Sequence, residues 1–236
     1  MTFYALGLGP GDPDLMTVRA RDVLQRVPTL FAPVRQAAGR SYALDIVDDL
    51  IDPTRQRIET LAFPAVASGW ASHVDRMVSC LADGDVAFLT EGDPLLYSTF
   101  IGVLAELQTR HPDVPLEVVP GVASPMAAAA VAGLPLADDD QSLAILPAMH
   151  ALDMLPQTLR HFDTLVLLKV APVLDTVLDC LERQSPAANV LHVRRVGRPE
   201  QSVLSGIERI RTAPAEIKAD YFSLLIVTTG TTGAAR

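Results

Sequence analysis

The sequence has few cysteines and little positive charge, and each shortage narrows the class of protein. Only two cysteines occur among 236 residues, Cys80 and Cys180, which favours two reduced thiols over a disulfide framework or a metal site. Asp and Glu number 28 against 19 Lys and Arg, so the formal net charge is -9. Because nucleic-acid binding relies on basic surface, this acidity argues against a general nucleic-acid-binding protein.

Long apolar runs are also missing. No stretch reaches the roughly 18 consecutive apolar residues that a membrane-spanning helix requires. The first residues lack the basic segment and apolar stretch that are typical of a secretory signal. Hydrophobic residues make up 49% of the chain and charged residues 20%, as in folded globular proteins. We therefore expect a cytoplasmic protein without a membrane segment.

Two common nucleotide-binding motifs and a metal-ligand cluster are absent as well. The glycine-rich run 7–11 is not the dinucleotide fingerprint, because its third glycine comes too early and no acidic residue follows at the usual distance. No Gly-Lys-Ser/Thr triplet occurs, which excludes a P-loop. Without clustered metal-ligating side chains, we expect no protein-bound catalytic metal.

The chain does contain a regular alternation of short apolar runs with segments of helical periodicity, which indicates an α/β fold. Val74, Met77, Val78 and Leu81, for example, recur at helical spacing. Segments 200–204 and 221–228 can form an antiparallel portion, so we expect a mixed sheet in the later half. The stretch 228–233 has the composition of a loose end. The predicted strands are 3–8, 28–32, 56–61, 85–90, 115–119, 142–147, 163–169, 189–194 and 221–228.

Two of the apolar runs end in a Gly-Asp-Pro turn, at 11–13 and at 92–94. Glycine lets the backbone approach a ligand closely, and proline fixes its own φ. Open α/β sheets bind ligands at the carboxyl ends of their strands, so these turns predict a binding site. The second turn lies in a segment, 91–99, that also carries Glu91, Tyr97, Ser98 and Thr99. So many polar groups favour a ligand role over a purely structural turn.

Three ordered segments resemble the signatures of the tetrapyrrole (corrin/porphyrin) methylases. The first is Gly-Leu-Gly-Pro-Gly-Asp-Pro at 7–13, followed by Leu-Met-Thr at 15–17. The second is Glu-Gly-Asp-Pro-Leu-Leu-Tyr-Ser-Thr at 91–99, and the third is Val-Val-Pro-Gly-Val-Ala-Ser at 118–124. The resemblance extends from Phe3 to about Val227. Within the family, the second segment resembles the precorrin-2 C(20)-methyltransferase branch, since uroporphyrinogen methylases usually show Gly-Gly-Asp-Pro there.

Five strand–helix alternations end before Pro120 and a second series follows, which favours two domains, 1–119 and 120–236. The resemblance likewise implies two α/β domains, with S-adenosylmethionine in the cleft between them. It implies methyl transfer to the C(20) meso carbon of the tetrapyrrole precorrin-2 in cobalamin biosynthesis, by a homodimer. A cobalt-factor II C(20)-methyltransferase or another regiospecific corrin methylase is the alternative within the fold. A non-catalytic nucleotide-binding module is the alternative from a different class.

The resemblance also assigns the cofactor-binding positions, which it carries over residue by residue. Most lie in or near the second and third signatures, and two, Lys169 and Val196, lie further along the later domain. The cofactor-binding candidates are Pro10, Gly92, Asp93, Leu96, Ser98, Thr99, Ala123, Ser124, Lys169 and Val196.

A base must remove the meso proton after methyl transfer, and the sequence leaves its identity open. Glu91 and Tyr97 are the first candidates for this base, and Asp12 and His150 are further candidates. The substrate's carboxylates need basic partners in an acidic protein, and arginine pairs carboxylates in bidentate fashion. Two arginine groups are candidates for this contact, namely Arg35 with Arg40, and Arg194 with Arg195 and Arg198.

Overall fold

The computed structural model describes residues 1–35, 39–63 and 69–229, and the chain divides into two compact units. The first unit spans Met1–Ser124 and the second begins at Pro125. The domain boundary predicted between Val119 and Pro120 stays a prediction. Residues just after it are bonded within the first unit, since the Gly121 N–H donates to Asp93 Oδ2 at 3.0 Å.

The first unit contains a parallel sheet of five strands in the order β3-β2-β4-β1-β5. Both β1 and β4 are buried along their whole length, as expected for strands covered on two faces. Their unbroken apolar runs are the reason the sequence predicts them well. The strands are β1 Phe3–Gly7, β2 Thr29–Val34, β3 Arg57–Ala62, β4 Val86–Thr90 and β5 Leu116–Val119.

Helices pack on both faces of this sheet, because alternate side chains of each strand point to opposite faces. Leu6 and Leu89 belong to one core cluster, whereas Phe3 and Phe88 belong to the other. The Phe88 ring lies 5.8 Å from the Phe100 ring, centroid to centroid, which anchors α4 on its face. The helices are α1 Val18–Arg26, α2 Tyr42–Val47, α3 Trp70–Ser79 and α4 Phe100–Arg110. The next helix, α5 Ser124–Ala132, begins at the last residue of this unit and otherwise belongs to the second.

The second unit contains a mixed sheet in the order β6-β7-β10-β8-β9. β6 and β7 are parallel, and β10 is antiparallel to both β7 and β8. The carboxyl ends of β6, β7 and β8 therefore lie at the same edge as the start of β10. The strands are β6 Leu143–Pro147, β7 Thr164–Leu168, β8 Asn189–Arg194, β9 Ser202–Ser205 and β10 Ser223–Thr228.

One apolar core joins this sheet to the helices of the second unit. Val177, Leu178 and Leu181 project from one side of α8 into the core, at the spacing of an amphipathic helix. Leu165 and Leu225 meet them from the sheet. The helices are α6 Ala148–Ala151, α7 Leu155–His161, α8 Leu174–Gln184, α9 Ile207–Arg211 and α10 Ala215–Lys218.

The predicted α/β class, the nine strands and the mixed character of the second sheet are confirmed. The predicted loose end at 228–233 is wrong at its start, because Thr228 belongs to β10 and the Thr229 N–H donates to Asp163 O at 2.9 Å. The rest of that stretch lies outside the described residues. Among the helices described, none combines the length and the apolarity that crossing a bilayer requires.

Candidate functional site

Adjacent parallel strands bring three sequence segments together at one edge of the first sheet. β1 lies between β4 and β5, with Gly7 paired to Thr90 and Leu6 paired to Val119. Because the strands are parallel, the chain leaves all three at the same edge. The two Gly-Asp-Pro turns and the segment around Gly121 are therefore neighbours, as is typical of ligand sites in α/β sheets.

Backbone hydrogen bonds hold the first two turns against each other. The Gly92 N–H donates to Gly9 O at 2.7 Å, and the Gly9 N–H donates to Gly92 O at 3.3 Å. One step earlier, the Leu8 N–H donates to Thr90 O at 2.9 Å. These main-chain bonds fix the position of one turn relative to the other.

The glycines at this edge are used in two different ways. A β-carbon on Gly121 would lie 2.1 Å from Gly92 O and 2.8 Å from the carbonyl carbon of Gly7, so these backbones touch directly. Gly92 has a φ of 68°, and a β-carbon there would meet only Ala123 Cα, at 4.0 Å, among the residues described. The space beside Gly121 is thus filled by protein. Gly92 is itself buried, but its Cβ side has no close neighbour among the described residues, and we call this the open side of Gly92.

Asp93 has a structural task at this edge. Its Oδ1 accepts a hydrogen bond from the Leu95 N–H at 2.9 Å, which closes the turn. Its Oδ2 accepts one from the Gly121 N–H at 3.0 Å, which ties the third segment to the second. Each carboxylate oxygen retains a second lone pair, so a ligand contact by Asp93 remains compatible with these bonds.

The structure places the other cofactor candidates of the first unit in the same three segments. Pro10 is buried beside the Gly9–Gly92 pair, and Leu96 is half-buried in the second turn. Ala123 and Ser124 are half-buried where the third segment enters α5.

Ser98 and Thr99 lie at the start of α4 and are half-buried. The Ser98 hydroxyl accepts a hydrogen bond from the Phe100 N–H at 3.0 Å. This bond satisfies one of the free N–H groups at the helix start, so Ser98 has a capping role that sequence reasoning did not identify.

The candidate bases differ in setting. Asp12 Oδ1 accepts a hydrogen bond from the Asp14 N–H at 2.9 Å and caps the short 3-10 helix Pro13–Leu15. Glu91 is half-buried, and Tyr97 is 40% exposed with a φ of 50°. His150 is exposed on α6 of the second unit. A positive φ is costly for a bulky residue, and such strain is concentrated at functional sites.

The two cofactor candidates of the second unit follow neighbouring strand ends. Lys169 comes directly after β7 and has a φ of 55°, and its Nζ lies 5.8 Å from the centroid of the Tyr221 ring. Val196 is buried two residues after the end of β8. Since β7 and β8 both flank β10, these positions lie at one edge of the second sheet.

Sequence reasoning missed a buried carboxylate at that edge. Asp220 is a single acid before a predicted strand, which gives no motif signal. Its Oδ2 accepts hydrogen bonds from Arg194 Nε at 2.8 Å and Arg195 Nε at 2.5 Å, and its Oδ1 accepts one from the Phe222 N–H at 3.0 Å. Burial would raise the pKa of Asp220, but the hydrogen bonds from Arg195, Phe222 and Arg194 outweigh it and lower the pKa below its usual value.

The arginine candidates for substrate carboxylates are in part already paired with acids. Arg40 Nε pairs with Asp45, and its Nη2 lies 3.9 Å from Asp48 Oδ2. Arg194 and Arg195 share Asp220. Arg35 is exposed and Arg198 is half-buried.

Sequence reasoning also missed Thr90, the last residue of β4. Thr90 is buried, and its hydroxyl oxygen has no hydrogen-bond partner within the part of the chain that the structure describes. Buried hydroxyls are nearly always hydrogen-bonded, so Thr90 is an exception at the end of a strand that leads into the candidate site.

Comparison with known proteins identifies the class. A family model described as Tetrapyrrole (Corrin/Porphyrin) Methylases matches residues 2–209. The chain belongs to this family, and the resemblance inferred from its three signatures is confirmed.

Individual relatives narrow the comparison. A protein of Methanocaldococcus jannaschii named "Probable cobalt-precorrin-2 C(20)-methyltransferase" is 32% identical over 230 residues, which cover 95% of this chain and 94% of that protein. The "Cobalt-precorrin-2 C(20)-methyltransferase" of Salmonella typhimurium is 38% identical over 174 residues, covering 71% and 72%. The uroporphyrin-III C-methyl transferase of Thermus thermophilus, solved with S-adenyl homocysteine, shares the fold, with a TM-score of 0.69 at 23% identity over 97% of each chain.

Proposed function

We propose that the protein transfers a methyl group from S-adenosylmethionine to the C(20) meso carbon of precorrin-2, or of its cobalt complex, in cobalamin biosynthesis. The segment 91–99 carries the proposal, because it follows β4 at the sheet edge and presents the open side of Gly92. The names of the Methanocaldococcus and Salmonella relatives support C(20) as the methylated position.

The first unit fits S-adenosylmethionine in two respects. The open side of Gly92 allows a ligand to approach the backbone. The Thr90 hydroxyl, buried two positions earlier in the chain, bonds to none of the described residues and so keeps a donor and an acceptor unused. We propose that the cofactor is held by the candidates of the first unit, with Lys169 and Val196 contributing from the second. The first-unit residues are Pro10, Gly92, Asp93, Leu96, Ser98, Thr99, Ala123 and Ser124.

Both reactants are intrinsically reactive, so methyl transfer needs little chemical assistance from the protein. S-adenosylmethionine supplies a methyl group on a positively charged sulfur, and the meso carbon of a reduced tetrapyrrole is electron-rich. The main contribution of the chain is therefore to align the two reactants, which is worth several kcal/mol. A carboxylate such as Glu91 near the sulfonium aids binding more than the chemical step, because the positive charge is lost in the transition state. Glu91 and Tyr97 remain the proposed candidates for the base.

Substrate carboxylates require local positive charge in a protein of net charge -9. The edge that carries Lys169 has an excess of positive charge, because Arg194, Arg195 and Arg198 lie near it and two acids, Asp220 and Glu200, pair with them. We propose that arginines of this group contact the carboxylates. Alanine at Arg194 or Arg195 is a poor test, because it would also remove an ion-pair partner from the buried Asp220.

Incubation with labelled S-adenosylmethionine and a tetrapyrrole tests the function directly. We expect one methyl group to be added to precorrin-2 or to cobalt-factor II, with NMR placing it at C(20). Supplying both substrates in parallel identifies the metal state that the enzyme accepts. Methylation at another carbon would assign the chain to a different corrin methylase. Cofactor binding without transfer to any tetrapyrrole would favour a nucleotide-binding module.

The assembly and the compartment belong to the same proposal. As the family resemblance implies, we propose a cytoplasmic homodimer, without a nucleic-acid or membrane partner. Sedimentation analysis of the purified protein tests the dimer, because a species of 25.3 kDa would be the monomer.

Substitution of Tyr97 by glycine separates backbone strain from function. Glycine adopts a φ of 50° freely, so the change relieves about 1 kcal/mol of backbone strain. This gain in stability offsets the loss of the packing that the ring provides. We expect a thermal midpoint close to that of the wild type and, if Tyr97 is the base, a methyl-transfer rate about a hundredfold lower.

Asp139→Gly is the matched control, since Asp139 also has a positive φ, of 48°, and lies outside the proposed site. Its rate should equal that of the wild type. An unchanged rate in Tyr97→Gly would exclude Tyr97, and Glu91→Gln in the same assay then tests the other candidate.

A further inference from the structure

The second unit contains a buried ion cluster around Asp220, at the edge where β7 and β8 end and β10 begins. Asp220 is 9% exposed as a residue, and its Oδ2 accepts from both Arg194 Nε and Arg195 Nε. Its main-chain oxygen accepts a hydrogen bond from the Ser223 hydroxyl at 2.6 Å. Two guanidinium groups on one carboxylate oxygen make a strong, directional attachment between segments that are 25 and 26 positions apart.

This attachment fixes a backbone segment that is otherwise unfavourable. Arg195 has a φ of 46° and Gly197 a φ of 79°, with the buried Val196 between them. The Arg195 N–H donates to Phe222 O at 2.8 Å, and the Gly197 N–H donates to Gln201 Oε1 at 2.8 Å. A strained arginine persists only where its surroundings determine its conformation, and Asp220 holds its side chain.

The segment that leads into β10 also contacts the other cofactor candidate. Tyr221, next to Asp220, lies beneath the Lys169 ammonium group at 5.8 Å, and its ring packs edge-on against Phe222 at 5.3 Å between centroids. Lys169, like Arg195, has a positive φ. The segment 220–222 thus connects Lys169 on one side with 195–197 on the other.

From these contacts we infer that Asp220 is a positioning residue, which holds Val196 and Lys169 in the geometry that binds S-adenosylmethionine. The inference rests on the proposed function, since it assigns a task to residues proposed there as cofactor contacts. Asp220 itself need not touch the cofactor, because both of its carboxylate oxygens accept hydrogen bonds within the protein. Its contribution is to keep the strained backbone in place before the ligand binds.

Asp163 provides a matched control in the same unit. Its Oδ2 accepts hydrogen bonds from the Ser142 N–H and the Ser142 hydroxyl, each at 2.8 Å, so it also connects two strand ends. These bonds lower the pKa of Asp163, so it too is held as a carboxylate. Asp163 lies at the start of β7, at the opposite edge of the sheet from Asp220. If Asp220 had a purely structural role, replacing it should affect the Kd for S-adenosylmethionine no more than replacing Asp163 does.

The test compares Asp220→Asn with Asp163→Asn in the full chain, well below both thermal midpoints. Calorimetry measures the Kd for S-adenosylmethionine, and steady-state kinetics measures kcat at saturating cofactor and tetrapyrrole. We expect Asp220→Asn to raise the Kd about tenfold, while kcat at saturation stays close to that of the wild type. Asp163→Asn should leave the Kd unchanged even if it lowers the thermal midpoint.

Equal Kd values for Asp220→Asn and Asp163→Asn would overturn the inference, as would a fall in kcat at unchanged Kd. If Asp220→Asn does not fold, Asp220→Glu replaces it, because the longer side chain keeps the charge but displaces both arginines. A wild-type Kd in that variant would equally count against a positioning role. Failure of the wild-type protein to bind S-adenosylmethionine would instead contradict the proposed function itself.

Discussion

Gly121→Ala is expected to destabilise the first unit by about 3 kcal/mol or more, because its new methyl group has no room. The β-carbon would lie 2.1 Å from Gly92 O and 2.8 Å from Gly7 Cα. Both are backbone atoms, which cannot move aside as the end of a flexible side chain can. The three segments must therefore separate, which breaks the Asp93–Gly121 hydrogen bond. Thermal unfolding should show a midpoint lowered by about 10 °C.

Gly92→Ala is the matched control for this change. Its β-carbon would meet only Ala123 Cα at 4.0 Å among the described residues, but its φ of 68° is unfavourable for alanine. We expect a loss of about 1 kcal/mol in stability together with a clear loss of S-adenosylmethionine affinity, because the methyl group occupies the open side. If Gly121→Ala proves as stable as the wild type, the three backbones are not packed as described.

Much of the fold could be predicted because its signals are local. The strand Val86–Thr90 is an unbroken apolar run that ends at a turn, and α5 begins at Ser124-Pro125 and ends before Gly133, which has a φ of 62°. The α/β class and the mixed second sheet also followed from the order of such segments. Patterns of this kind depend on burial and turn chemistry over a few residues, which the sequence displays directly.

The candidate site was only partly predictable, since its remaining contacts join residues that are distant in sequence. The Gly-Asp-Pro sequence indicated that Asp93 lies in a turn, but its hydrogen bond with Gly121 joins residues 28 positions apart. Arg194 and Arg195 were predicted as carboxylate-binding groups because they are adjacent, and no local pattern indicated that both would bind Asp220. A single acid carries no such signal until the fold brings its partners together.

His192 is another residue whose setting the sequence did not reveal. It lies in the middle of β8, paired with Leu225 of β10 and Leu204 of β9, and is 1% exposed. Neither ring nitrogen has a hydrogen-bond partner among the residues that the structure describes. Burial, followed by the charge of Arg194, lowers the pKa of His192 from 6.5 to about 4, against the opposing effect of Asp220. The imidazole is therefore neutral in the folded protein at neutral pH.

This setting makes the stability of the second unit sensitive to mild acid. In the unfolded chain, His192 takes up a proton near pH 6.5, whereas in the folded chain it does so only near pH 4. The unfolded state therefore binds more protons between these values, and its free energy falls as the pH is lowered. The contribution of His192 to the free energy of unfolding is fully present above pH 6.5 and falls by about 3 kcal/mol towards pH 4. Urea unfolding across this pH range should show the decline.

His192→Leu should abolish this part of the decline, since leucine does not titrate and suits a position between Leu225 and Leu204. At pH 7 the variant should be at least as stable as the wild type, because it removes two buried nitrogens that bond to none of the described residues. His161→Gln is the control, because His161 is exposed at the end of α7 in the same unit. Parallel pH profiles for His192→Leu and the wild type would show that His192 does not cause the loss. If His161→Gln flattened the profile as well, the decline would not be specific to His192.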